Sequence, residues 1–190
     1  MNFIRTKIPD VIIIEPTVHG DDRGYFVETF RQDKLDEFLG FKIHFAQDNE
    51  SKSSRGVLRG LHYQLAPCAQ TKLVRVIQGK VLDVAVDIRE GSPTFGQHVS
   101  VELTSENKKQ LLVPRGFAHG FLVLEDDTVF AYKVDNYYSP ENDRGMAFDD
   151  DALGIDWKII KEEMKLSDKD TKQPKFKDAE CFDFKVSLYD

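Results

Sequence analysis

Across residues 81–88 apolar and polar side chains alternate, so that Leu82, Val84, Val86 and Ile88 fall on one side and Asp83 and Asp87 on the other. A period of two matches an extended strand, whose successive side chains point to opposite faces, and no single face of a helix collects it. Val99, Val101 and Leu103 repeat the pattern, as do Phe130, Tyr132 and Val134. Further strands are expected at 11–15, 25–30, 57–64, 73–78, 111–113 and 121–124, separated by Gly, Pro, Asn and Asp turns. Helical signals are confined to 34–39 and 159–166. Many short strands with little helix predict an all-β sandwich or barrel, and among these a jelly roll suits 190 residues. A chain of this length buries a substantial core without being divided, so one domain is expected over 1–190. Within it, 171–190 reads as an extension that either adds a strand or lies over a neighbouring subunit.

Composition narrows the function. With 41% apolar and 31% charged residues the chain is an ordinary globular sequence rather than a disordered one. A net charge of −7 argues against wholesale nucleic-acid binding, which needs a basic face, although a local basic pocket for a small anion is compatible with it. The opening MNFIRTKIPD lacks the apolar core of a signal peptide, and no apolar run approaches the length of a membrane span, so a cytoplasmic protein is expected. Cys68 and Cys181 form no C-x-x-C pair, which suggests free thiols and neither a zinc site nor a redox motif.

Three segments carry residues able to do chemistry. In Arg55-Gly-Val-Leu-Arg-Gly-Leu-His62-Tyr-Gln64, strict alternation puts Leu58, Gly60, His62 and Gln64 on one face and Arg59 and Leu61 on the other. The ordinary reading of a strand histidine is packing, but a pKa near neutrality also suits a general base. Val113-Pro-Arg-Gly-Phe-Ala-His119-Gly-Phe is a Pro/Gly turn delivering a second histidine into an apolar strand. Two histidines on separate strands suggest the cupin plan, in which they line a barrel mouth. Metal is disfavoured, because Gln64 stands where a further histidine would be needed and only two ligands can be assembled. The third segment, 132–138, places Tyr132, Val134, Asn136 and Tyr138 on one face; such tyrosines usually pack, yet a hydroxyl aimed into a cavity can donate a proton.

Taken together, these segments resemble the dTDP-4-dehydrorhamnose 3,5-epimerase family. The motifs are Asp22-Arg-Gly-Tyr-Phe-Val-Glu28, Gln47-Asp-Asn49, Gly56 through Gln64, Lys72-Leu-Val-Arg, Asp83-Val-Ala-Val-Asp87, Ser92-Pro-Thr-Phe-Gly96, Pro114 through Phe121, Tyr132-Lys133, Asn136-Tyr-Tyr138 and Leu166-Ser-Asp-Lys-Asp170. The resemblance implies a cupin-like jelly roll that needs neither metal nor other cofactor, paired as a homodimer with strand exchange so that the partner holds part of the nucleotide. It implies epimerisation at C3 and C5 of dTDP-4-keto-6-deoxy-D-glucose to dTDP-4-keto-L-rhamnose. A C4 ketone acidifies the protons at C3 and C5, so such a reaction needs a base, an enolate stabiliser and an acid on the opposite face. By resemblance the base is His62, its carboxylate partner Asp170, the acid Tyr132 and the cation near the ketone Lys72. Arg23, Arg59 and His119 match positions around the pyrophosphate. Glu28, Gln47 and Asn49 match nucleotide contacts, Tyr138 the aromatic stacked on thymine, and Asp143 and Lys169 substrate contacts. Asp143 departs from the family's commoner glutamate, and the last twenty residues have no clear match.

Within the enzyme class the rivals are a mono-epimerase acting at C3 or C5 alone and a 3,4-ketoisomerase, which normally departs from the His62/Tyr132 pairing. From another class the rival is a non-catalytic sugar-nucleotide-binding or regulatory cupin. Retention of acid, base and lysine together speaks against a pure binder.

Overall fold

The computed structural model describes residues 1–189. In chain order its strands are β1 (Asn2–Arg5), β2 (Ile12–Glu15), β3 (Val18–Asp21), β4 (Gly24–Val27), β5 (Gln47–Ser53), β6 (Leu58–Gln64), β7 (Lys72–Gln78) and β8 (Lys80–Asp87), continuing with β9 (Arg89–Glu90), β10 (His98–Thr104), β11 (Gln110–Val113), β12 (Phe117–Val123), β13 (Thr128–Val134), β14 (Asp143–Gly145) and β15 (Phe182–Asp183). One helix, α1 (Gln32–Leu39), covers the segment expected at 34–39 and ends at Gly40 in the left-handed conformation. Two sheets dominate, ordered β1-β2-β11-β7-β13-β5 and β10-β8-β12-β6-β14, with antiparallel pairing throughout. They face each other as a cupin-like jelly roll. No helix among the described residues is long and apolar enough to cross a membrane.

Three apolar layers explain why so many strand residues are buried on both faces. Between the sheets lie Val74, Val76 and Phe130 from the first and Val81, Ala85, Phe121 and Val123 from the second. The outer face of the first sheet packs Ile12, Ile14, Leu73 and Leu112 against Leu35 of α1. The outer face of the second packs Leu82, Val84, Val86 and Leu122 against Leu153, Trp157 and Phe182 of the C-terminal segment. The alternation of residues 81–88 therefore separates two interiors rather than core from solvent. Asp83 and Asp87 point between the sheets with no exposed surface.

Two expectations are corrected. Residues 159–166 form no helix beyond a 3₁₀ turn at Lys161–Glu163, because the backbone there pairs with another part of the chain: Lys165 N–H donates to Gly56 O at 2.8 Å and Leu58 N–H to Lys165 O at 3.1 Å. A tertiary ladder thus overrides a modest local preference. The strict alternation expected along β6 is also broken. β12 pairs His119 with His62 but Phe121 with Arg59, a one-residue register shift at Gly60 and Gly120. Leu58, Leu61 and Tyr63 pack outward, while Arg59 and His62, expected on opposite faces, line the same cavity.

Gly60 has φ of 139°, and a Cβ there would sit 2.5 Å from the Gly120 Cα. Gly60→Ala is expected to cost about 3 kcal/mol through backbone conformation and overpacking. For a chain of this size that lowers Tm by roughly 6–12 °C, and calorimetry on the purified variant measures it.

Candidate active site

Between the sheets, side chains of β5, β6, β7, β12 and β13 line a cavity. The cavity, about 570 Å³, is lined by Asn49, Arg59, His62, Lys72, His119, Phe121, Phe130, Tyr132, Ser167 and Asp170, among others. A neighbouring recess of about 440 Å³ shares Asn49, His62, Lys72 and Tyr132 with it and adds Gln47, Tyr138, Asp143 and Lys169. The two form one cleft. Its floor is the stacked pair Phe121 and Phe130, with ring centroids 4.0 Å apart. Acid and base candidates come from different sheets, Tyr132 from β13 and His62 from β6.

His62 Nε2 lies 2.5 Å from Asp170 Oδ1. Asp170 is presented by the C-terminal segment, in a short turn held because Ser167 Oγ donates to Asp170 Oδ2 at 2.7 Å and the Asp170 N–H returns to Ser167 O at 3.0 Å. Burial would raise the Asp170 pKa, but hydrogen bonds from His62 and Ser167 and the charges of His62 and Lys169 outweigh it, leaving the carboxyl below its ordinary value. A carboxylate only accepts, so the Nε2 proton of His62 occupies this bond and Nδ1 carries the lone pair.

Tyr132 is half-buried and its ring centroid lies 6.1 Å from that of Phe130. Burial pushes the phenol above its ordinary pKa, against the pull of Arg59, so at neutral pH it holds its proton. Lys72 heads β7, with Nζ 3.5 Å from the His62 carbonyl oxygen. Burial lowers its pKa to about 8, with Asp83 and Asp143 opposing the shift and Lys169 adding to it.

Most of the expected residues converge here. Gln47, Asn49 and Tyr132 sit on the inward face of β5 and β13, where Tyr132 pairs with Asn49. Gln47 Nε2 donates to Asn49 Oδ1 at 2.8 Å, which orients both amides. Tyr138 lines the recess and its hydroxyl donates to Asp143 Oδ2 at 3.2 Å, whereas Tyr137, exposed to a similar degree, is not among the lining residues. Asp143 also pairs with the Lys169 ammonium, so the shorter acid is held at the rim. Arg59 is exposed at the mouth, with Nη2 donating to Ser53 Oγ at 3.2 Å.

Arg23 and Glu28 are not brought to this cleft. They belong to the β3–β4 hairpin region, whose strands are largely exposed. The Arg23 side chain is 89% exposed beside Asp21, and Glu28 pairs with Arg31 and Lys34. Physically, no strand of either large sheet pairs with this hairpin.

Two residues that the sequence named only within motifs, with no role of their own, also join the site. Asp83 accepts from His119, whose Nε2 lies 2.9 and 3.0 Å from its two oxygens, forming a second buried histidine–carboxylate pair. The available signal was a carboxylate placed mid-strand between Val81 and Ala85. Ser167 was visible as a Ser three residues before an Asp, a common side-chain cap. Among the described residues no three His, Cys, Asp or Glu side chains converge as a metal site would require.

The sequence model of one protein family, described as dTDP-4-dehydrorhamnose 3,5-epimerase, matches residues 5–178. The chain belongs to this family. A dTDP-4-dehydrorhamnose 3,5-epimerase from Shigella flexneri is 55% identical to it over 182 residues, covering 96% of this chain and 99% of the relative. Among solved structures, the dTDP-6-deoxy-D-glucose-3,5-epimerase of Legionella pneumophila Philadelphia 1 in complex with dTDP-4-keto-L-rhamnose is 46% identical with a TM-score of 0.93, covering 97% of this chain and 99% of that one. A 3'-monoepimerase from Streptomyces bikiniensis in complex with dTDP-quinovose is also similar, at 34% identity and a TM-score of 0.84 over 90% of this chain and 86% of that one. The 3,5-epimerase family member described here thus shares its jelly roll with double and single epimerases alike.

Proposed function

We propose that the chain epimerises dTDP-4-keto-6-deoxy-D-glucose at C3 and C5, giving dTDP-4-keto-L-rhamnose, with His62 as base and Tyr132 as acid. The observation that carries the assignment of roles is the His62–Asp170 pair in one cavity with Tyr132 and Lys72. His62 removes the proton from the carbon beside the ketone, and the C–H electron pair moves into a C=C bond as the carbonyl π pair moves onto O4. The Lys72 ammonium stabilises the resulting enolate, and Asp170 stabilises the imidazolium. Collapse of the enolate with proton delivery from Tyr132 on the opposite face inverts the carbon. Tyr132 is then reprotonated by solvent and His62 gives up its proton.

Arg59 and His119 suit the pyrophosphate, Tyr138 the thymine ring, and Gln47, Asn49, Asp143 and Lys169 the remaining polar edges. Arg23 and Glu28 reach a nucleotide if two chains exchange the β3–β4 hairpin, whose Val18, Tyr25 and Phe26 are exposed. We therefore retain the strand-exchanged homodimer; sedimentation as a monomer would exclude it. A cytoplasmic location completes the reading, consistent with two unpaired thiols.

The test is incubation with the 4-keto sugar nucleotide in deuterated water, with chelator, followed by NMR. Deuterium at both C3 and C5, with an L-configured product trapped by a reductase, supports double epimerisation. Exchange at one carbon means a mono-epimerase, and none returns the chain to a binding role. A second expectation concerns pH. Because Lys72 titrates near 8, kcat should fall as the pH rises through that value and the ammonium is lost. In Lys72→Met the limb should vanish while kcat drops roughly 10²-fold or more, the order of losing one oxyanion donor. Rate profiles from pH 6 to 10 check both.

A further inference from the structure

The segment after β15 ends in a contact that no step above uses. The family match stops at residue 178, yet the chain continues across the molecule to Tyr189. There the Tyr189 hydroxyl lies 2.8 Å from Thr71 Oγ1 and accepts the Arg115 backbone N–H at 3.1 Å. The Tyr189 ring is held between Phe41, at 5.1 Å between centroids, and the Arg115 guanidinium, 5.0 Å from its centroid. Arg115 Nη1 donates to Leu188 O at 2.5 Å and its Nε to Asp135 Oδ2 at 3.1 Å. Asp135 in turn accepts the Thr71 N–H at 2.6 Å through Oδ1. Thr71 has no exposed surface, and the Asp135 side chain is 3% exposed.

This network ends where β7 begins, one peptide bond from Lys72. We propose that Tyr189 is a positioning residue for the reaction: by closing the Thr71–Asp135–Arg115 network it fixes the first residue of β7, and so holds the Lys72 ammonium in the cleft beside His62. The inference rests on the role given to Lys72 under the proposed function. Removing the Tyr189 hydroxyl leaves the Thr71 hydroxyl and the Arg115 N–H without this partner, so the start of β7 relaxes to find others. The charged and titratable groups that share the cleft with Lys72 or act on it are Glu50 on β5, Arg59 and His62 on β6, Asp83 on β8, His119 on β12, Tyr132 on β13, Tyr138 after it, Asp143 on β14, and Lys169 and Asp170 on the C-terminal segment. None of them is altered by substitution at Tyr189, so a change in the titration of Lys72 reports its placement.

The experiment compares Tyr189→Phe and the isosteric Thr71→Val with the unsubstituted enzyme and with Lys72→Met, recording kcat and KM against pH. Expected for both variants are a fall in kcat of about five- to tenfold with KM within about twofold, and an alkaline limb moved upward by about half a pH unit as Lys72 gains water. In the Lys72→Met background, Tyr189→Phe should cause no further loss, because the two act through one group. An unmoved limb in both variants, or an equal loss of kcat in the Lys72→Met background, overturns the positioning role while leaving the proposed function intact. Unchanged kcat in Lys72→Met itself overturns both.

Discussion

Replacing His62 with alanine should lower kcat by about 10³- to 10⁴-fold, the range associated with losing a general base, while leaving the affinity for dTDP within about threefold. The separation follows from geometry. The residues assigned to the nucleotide within the cleft lie on β5, β12, β14, the loop after β13, the C-terminal segment and, for Arg59, on β6 itself, and none takes its hydrogen bonds from the imidazole. A second consequence is structural. The Asp170 side chain is 3% exposed, and without His62 its charge keeps the Ser167 hydroxyl as a neutral partner. A stability loss of about 1–3 kcal/mol is therefore expected at neutral pH. The sign with pH follows from the lowered Asp170 pKa: the carboxylate's contribution in the unsubstituted protein is present above the unfolded value and is lost as the pH falls through the folded one. Turnover assays, dTDP titration calorimetry and thermal melts measure the three effects, and near-normal turnover would end the assignment of His62 as base.

Tyr132→Phe should cut formation of inverted product by about 10²- to 10³-fold yet preserve wash-in of solvent deuterium. The substitution removes one oxygen and keeps the ring against Phe130, so the floor of the cleft is unchanged. With His62, Asp170 and Lys72 in place, the proton can still leave the carbon and return from the same face. Exchange without inversion, followed by NMR in deuterated water, is the distinguishing result. Loss of exchange together with inversion would mean that Tyr132 also helps to form the enolate.

How legible this was in the sequence depended on what each strand face touches. Strands with an apolar inward row, such as β8 and β13, announce themselves by period. β5, Gln47-Asp-Asn-Glu-Ser-Lys-Ser53, alternates in burial just as regularly, but its inward side chains face the cleft rather than a core, so no hydrophobic period marks it. Gln47 and Asn49 were recognised through motif resemblance alone. Face assignment failed at β6 because a one-residue shift at Gly60 is set by the approach of Gly120 on another strand, which local alternation does not encode. Asp83 was placed on the polar side of its strand correctly, but that side faces the other sheet. The tail was expected to add a strand or to lie over a neighbouring subunit; it adds β15 beside β9, but its course to Tyr189 was not legible because its anchors, Thr71, Arg115 and Phe41, are distant in the chain.

The placement of Tyr132 and His62 on opposite sheets ties reactivity to the filling between them. Between the strands that carry the proposed base and the proposed acid lies an apolar layer that includes the Phe121–Phe130 stack. Substitutions at those two rings change that layer without touching any polar side chain. On the proposed assignment, an engineer seeking a different stereochemical outcome has a dial beneath the cleft as well as within it.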